Sequence, residues 1–224
     1  SIFGATHQSK YSGAAGKLLG GAVGVERNHV MVLGAGVAGK AAAMAAAGLG
    51  ADVTMLDINS ERLHYLDDVM PKNVALRYSD AATIEALCKT SDLIIGTVLL
   101  PGAKAPKLIR KEHLSMMQPG TVMVDVSIDQ GGCFETSHAT THRDPIFEVD
   151  GIIHYCVANM PGAYPRTSTM ALTNATLPYV IKLLTDKQVL NSEIMLSALN
   201  TYDGKLTNEF VAQAHGLQYE PCNV

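Results

Sequence analysis

Apolar residues along this chain fall into two alternating rhythms. Short runs with little polar interruption occupy residues 30–33, 53–56, 74–78, 92–98, 121–126 and 152–157. Between them lie longer stretches with helical spacing, at 37–49, from Asn59 or Ser60 to 69, from Ser79 or Asp80 to 89, and at 107–117. Runs that are apolar on both faces suit strands covered on both sides, as in parallel sheets. Their alternation with helices predicts an α/β sheet domain. Helix stops stand in the expected places: Gly50 after the first helix, Pro71 after the second, Pro119-Gly120 after the fourth. From about Ser168 the pattern is helical only, through TSTMALTNATLPYVIKLLTD, NSEIMLSALN and TNEFVAQAHGL. The expected organisation is a sheet domain over residues 1–165 and a helical segment over 166–224. Residues 2–11 read as the last turns of a helix, running into a glycine-rich connecting loop. Residues 133–150 carry no element in this reading.

The first strand, helix and second strand form one motif, VMVLGAGVAGKAAAMAAAGLGADVTMLD, over residues 30–57. Gly34 makes the tight turn leaving the strand, Gly36 lets a diphosphate approach the backbone, and Gly39 lets the helix pack close to the sheet. The N–H groups that open this helix, at Val37 and Ala38, and its positive dipole end then face the anion. The alanines and Met44 suit a helix packed on a sheet and favour helix formation. Asp57 stands 23 residues after Gly34, where a carboxylate accepts hydrogen bonds from an adenosine ribose. The whole context of strand, glycine turn, helix, strand and acid points to dinucleotide binding in a Rossmann-type, doubly wound, mainly parallel sheet followed by C-terminal helices. The alternative is a purely structural glycine turn. Asp57 favours NAD over NADP, because its charge repels a 2′-phosphate; nearby Arg62 softens that repulsion or is a solvated helix residue.

Composition narrows the function classes. The 224 residues are 47% hydrophobic and 17% charged, with a net charge of −4 and a pI near 6.0. That is a globular chain with a substantial core, and its densest basic run, Lys107 to Lys111, is too small for nucleic-acid binding through phosphates. The four cysteines, Cys88, Cys133, Cys156 and Cys222, show no paired spacing, which suits reduced thiols in a cytoplasmic protein. No signal peptide or membrane span is expected, although the chain opens on Ser1. Gly16-Lys17 lacks the upstream glycine spacing and the following hydroxyl of a phosphate loop.

Ligands in such sheets bind at the carboxyl ends of the strands. There the sequence places Val98 and Leu99, Val126, Asp125 and Asp129, Val157, and the Asn159-Met160 pair. Asp129 could hold a proton network beside a nicotinamide or bind loop N–H groups, and Asn159 could hold ligand or simply make the turn before Pro161. His138 and His142 have i, i+4 spacing, but HATTH lacks a zinc hydrolase glutamate and reads as a surface loop. His154, among apolar strand neighbours, reads as structural. With no Gly-x-Ser-x-Gly elbow and no cysteine near a base, hydride transfer fits better than hydrolysis.

VLGAGVAGKAAAMAAAGLGADVTMLDIN, VLLPGAKAP, VMVDVSIDQGG and HYCVANMPGAYPRTSTMALTNATLPY together resemble the alanine dehydrogenase family, through essentially the whole chain. The NAD-binding subunit of proton-translocating transhydrogenase shares much of the pattern. The resemblance implies NAD as cofactor, a diphosphate turn at Gly34, Gly36 and Gly39, and a ribose-binding acid at Asp57. It places Arg62 and Ser79 near the adenine end and Val98 and Leu99 under the cofactor. It makes Asp129 a catalytic residue beside nicotinamide and substrate, and sets Asn159 and Met160 in the loop that closes over them. It further implies reversible oxidative deamination of L-alanine to pyruvate and ammonia, in a homo-oligomer, commonly a hexamer. The family's catalytic lysine and histidine belong to an amino-terminal lobe that nothing in this sequence matches. The expectation is a chain that binds NAD(H) but is inactive alone. A non-catalytic NAD-binding or assembly module, and the transhydrogenase subunit, remain as alternatives.

Overall fold

The computed structural model describes residues 1–100, 104–186 and 188–221. Cys222 and the centre of the VLLPGAKAP stretch lie outside the described residues. The chain divides into two compact units: Ser1–Leu99 with Ala105–Ala158, and Leu100–Lys104 with Asn159–Val224.

The first unit is built on a seven-stranded sheet. In chain order its strands are β1 (His29–Leu33), β2 (Asp52–Asp57), β3 (Val74–Tyr78), β4 (Leu93–Gly96), β5 (Val122–Asp125), β6 (Ile146–Val149) and β7 (Ile152–Tyr155). Their spatial order is β3-β2-β1-β4-β5-β7-β6, all parallel except β6, which pairs antiparallel with β7. The order reverses between β1 and β4, the switch point where open α/β sheets bind ligands. Helices α1 (Ile2–His7), α2 (Val37–Gly48), α3 (Ser60–Val69), α4 (Ala81–Cys88) and α5 (Lys111–Leu114) flank it. Val30 to Leu33 of β1 are fully buried, as are Leu93, Ile94 and Ile95 of β4. Each such side chain contributes roughly 1.5–3 kcal/mol over an exposed one.

Register sets the site. Leu33 stands opposite Leu56 and Gly96, and Gly96 opposite Asp125. The residues that follow these strands therefore emerge in one row on one edge. Local chemistry fixes the helices around that row. The Asn59 side chain accepts the Arg62 N–H at the start of α3, and Asp80 accepts the Thr83 N–H at the start of α4. On α2 the buried residues are Gly39, Ala43, Ala46 and Ala47, so the helix lies close to the sheet. Met44 is not part of that contact; it is exposed.

Two local expectations are corrected. The helix expected at 107–117 is only Lys111–Leu114. Upstream, the Leu108 N–H donates to the Cys133 carbonyl and the Glu135 N–H to that of Ile109, so tertiary pairing replaces helix there. The unassigned stretch 133–150 contains β6, and Asp150-Gly151, both with positive φ, turn it into β7. Asp-Gly between apolar runs is a strong hairpin signal. His138 and His142 lie exposed outside any helix, as the surface-loop reading expected, and His138 stacks on Phe147, ring centroids 3.7 Å apart.

In the second unit, α6 (Pro165–Thr185) starts on a proline at its first position and contains no buried residue. It is followed by α7 (Glu193–Ala198), a two-stranded hairpin of β8 (Thr201–Tyr202) and β9 (Lys205–Leu206), and α8 (Glu209–His215). The segment was expected to be helical throughout; Asp203-Gly204, again both at positive φ, makes the hairpin.

Candidate functional site: a glycine turn at the strand ends

The turn after β1 is determined by contact. Gly34 has φ +94°, and its N–H donates to the Leu56 carbonyl at 2.8 Å. A Cβ at Gly39 would sit 1.8 Å from the Gly34 oxygen and 2.8 Å from Thr97 Oγ1. Thr97, which the sequence reading passed over, donates from that hydroxyl to the Leu33 carbonyl at 2.8 Å and lies 3.0 Å from the Gly34 carbonyl. Gly36 differs: a Cβ there would meet nothing within 4 Å. Its open face leaves room for a bulky ligand group that a side chain would fill. Gly36 is also the N-cap of α2, with no side-chain cap and no acid in the first turn. Val37 and Ala38 are exposed. The N–H groups there suit an anion.

Asp57 stands across this turn. One carboxylate oxygen accepts the Ala35 N–H at 2.6 Å, and the other the Asn59 N–H at 2.8 Å. The Arg62 Nε–H donates to the Ala35 carbonyl at 2.8 Å. The Ala35 peptide is thus gripped at both ends. Arg62 also lies over the Tyr65 ring, 5.0 Å from its centroid, and Lys40 lies 5.2 Å from that ring. Ser79 N–H donates to the Asp57 carbonyl at 2.9 Å. Gly34, Gly36, Gly39, Asp57, Arg62 and Ser79 are therefore one connected group.

Past β4, the Val98 carbonyl accepts the Ser127 hydroxyl at 2.7 Å, and Leu99 is exposed. Past β5, Val126 is partly exposed and donates its N–H to Gly96. Asp129 is exposed on a single 3-10 turn, Ile128–Gln130. Asp125 plays the other part considered for these two acids. It is fully buried and accepts the N–H groups of Ser127, Cys133 and Phe134 and the Ser137 hydroxyl. Val157 is buried and forms an isolated parallel bridge with Thr140. Asn159 and Met160 belong to the second unit. Asn159 sits in the left-handed region, φ 59°, and its carbonyl accepts the Gly162 N–H at 2.9 Å.

The three described cysteines are free and buried. Burial pushes the thiols of Cys88 and Cys156 up to about 12, and that of Cys133 well above its ordinary value, so all three stay protonated. His154 is buried and its pKa is lowered by that burial. Its Nδ1 faces the Ile152 carbonyl at 3.0 Å and its Nε2 the Thr136 hydroxyl at 2.8 Å, which fits the neutral ring in a structural role.

Residues 1–209 match the family described as "Alanine dehydrogenase/PNT, C-terminal domain". The chain belongs to that family. It is the family's NAD-binding domain, and the turn, the uncapped helix start and Asp57 fit such a dinucleotide. Similar proteins include the alanine dehydrogenase of Halomonas elongata, 53% identical over 96% of this chain and 59% of that protein. That of Methanococcus maripaludis is 49% identical over 98% of this chain and 60% of that protein. A solved L-alanine dehydrogenase superposes with a TM-score of 0.86 at 45% identity, over 96% of this chain and 60% of that one. A transhydrogenase from Sinorhizobium meliloti, TM-score 0.69 at 24% identity over 81% of this chain and 53% of that one, shares the fold. The chain thus spans about three-fifths of the length of the alanine dehydrogenases it matches. Among the described residues, no helix is long and apolar enough to cross a membrane.

Proposed function

We propose that this chain is the NAD(H)-binding part of an L-alanine dehydrogenase that interconverts L-alanine, water and NAD⁺ with pyruvate, ammonia and NADH. The observation that carries this reading is the Asp57–Ala35–Arg62 grip beside an uncapped, open-faced helix start, in a chain 53% identical to an alanine dehydrogenase. The α2 N–H groups and Gly36 hold the diphosphate. Asp57 accepts from the adenosine ribose, with Arg62 and Ser79 at the adenine end. Val98, Leu99, Val126 and Val157 stand at the strand ends on the cofactor's side of the sheet, and the family resemblance adds Asn159 and Met160 to the cofactor residues. When bound, NAD supplies the acceptor for the hydrogen and electron pair that leave the substrate Cα. Asp129, exposed on its turn, assists the proton transfers as water adds to the resulting imine.

The principal acid–base residues, a lysine and a histidine, belong to a part of the enzyme outside this sequence. In this reading the sheet domain ends near residue 165, a few residues past the Ala158–Asn159 division of the fold, and the later helices serve that part. The enzyme works as a cytoplasmic homo-oligomer; the buried, protonated thiols suit a reducing compartment. The test is turnover. The isolated chain, supplied with NAD⁺ and L-alanine, is expected to produce no alanine-dependent NADH. Robust NADH formation would overturn the placement of the principal acid–base groups outside it.

A further inference from the structure

The loop that carries Asp129 is held from two sides by opposite charges. On one side, the fully buried Asp125 carboxylate takes three main-chain N–H groups, those of Ser127 at 3.0 Å, Cys133 at 3.0 Å and Phe134 at 3.3 Å. On the other, the Lys107 ammonium donates to three main-chain carbonyls, Gly131 at 2.5 Å, Gly132 at 2.8 Å and Phe134 at 3.1 Å. An ammonium has three N–H donors, so the loop uses its full capacity. Charge-assisted hydrogen bonds of this kind are about twice as strong as neutral ones.

The packing leaves little slack. A Cβ on Gly132, at φ +75°, would lie 2.6 Å from the Asp125 carboxylate, and one on Gly96 would lie 2.1 Å from Cys133 Sγ. The main chain therefore wraps the carboxylate closely and rests on β4.

Strand order says what this rigidity serves. With the diphosphate at the turn after β1 and the adenosine ribose at Asp57 on the β2 side, the other half of a dinucleotide must run to the opposite side of β1. That side holds β4 and then β5. We propose that Lys107 and Asp125 are positioning residues for this second, nicotinamide-bearing half: together they fix the main chain of residues 127–134 where that half lands. The inference rests on the dinucleotide reading given above. Lys107 touches the site only through the carbonyls it holds, and its effect is confined to one end of the ligand.

The experiment compares two ligands on the chain as it stands: NADH, and ADP-ribose, which lacks the nicotinamide ring. The parent chain is expected to bind both, and NADH more tightly. Lys107→Met is expected to lose NADH affinity on the order of tenfold, the scale of one charge-assisted hydrogen bond, and to keep ADP-ribose affinity within about twofold. Should Lys107→Met fail to fold, Lys107→Arg keeps the charge, but its planar fork does not match converging carbonyls; a smaller loss, again for NADH only, is then expected. Equal losses for both ligands, or no loss for either, would overturn the proposal. So would a parent chain that binds ADP-ribose as well as NADH. A parent chain that binds neither would instead overturn the cofactor reading itself.

Discussion

At Gly39 a Cβ would sit 1.8 Å from the Gly34 carbonyl oxygen, whereas at Gly36 it would meet nothing within 4 Å. The two glycines of one motif thus answer to different demands: packing requires Gly39, whereas no packing contact requires Gly36, and in the proposed function Gly36 serves ligand approach. Gly39→Ala forces main chain apart, and overpacking of this kind costs about 1–3 kcal/mol. At Gly36 the Cβ of a valine has open space, and Gly36→Val loses the better N-cap residue, about 1 kcal/mol or less. Thermal melts should show a clear drop for Gly39→Ala and little change for Gly36→Val, while NADH binding is lost in Gly36→Val. A Gly36→Val variant that binds NADH normally would contradict the diphosphate site. The buried histidine makes a prediction of a different kind. Burial lowers the folded pKa of His154 below the ordinary 6.5, and does the same for His7 and His29. The unfolded chain then binds more protons than the folded one, so stability falls as the pH drops through about 6.5 towards the lower folded values. Urea unfolding midpoints should be lower at about pH 5.5 than at about pH 7.5, and His154→Asn should show a smaller decline. A midpoint that rises on acidification would contradict this.

Elements built from continuous apolar runs were legible because burial on both faces leaves a plain mark on the sequence. The β1–α2–β2 unit, β4, β5 and β7 stand where the pattern put them, within a residue or two; the edge strand β3 does so too, although only its Val74 is buried. The failures have physical causes. The stretch at 107–110 has helical spacing, but its N–H groups are taken by Cys133 and its lysine by loop carbonyls, and no local pattern reveals partners more than 20 residues away. The hairpins at Asp150-Gly151 and Asp203-Gly204 carried a readable signal that was passed over, because Ile146–Val149 and Lys205–Leu206 are short and only partly buried. α6 is the element whose sequence and exposure disagree. Met170, Leu172 and Leu184 are 60%, 66% and 81% exposed, an amount of apolar surface that marks a contact face. Self-association through this helix predicts a light-scattering mass above that of the 23.8 kDa chain, reduced by Leu172→Glu. A clean monomer at the same concentration would rule it out.

At the scale of the molecule, the topology explains why the glycine turn with its acid could be read as one unit and the loops after β5 and β7 only in part. Gly34, Gly36, Gly39 and Asp57 lie within 24 residues of sequence, and their spacing is a direct image of one strand–helix–strand unit. Asp129 comes from a loop whose shape depends on Asp125 and Lys107, and Asn159 and Met160 come from the second unit, so the sequence pattern could set them at strand ends but only the resemblance to a family gave them roles. The central claim is that this sheet edge binds NAD(H) and that Asp57 reads the ribose. A fluorescence titration of the chain with NADH, with NADPH as the control, tests it most directly. The account predicts saturable binding of NADH and much weaker binding of NADPH, because a 2′-phosphate would meet the Asp57 carboxylate. Equal binding of the two would contradict the role of Asp57, and binding of neither would contradict the site.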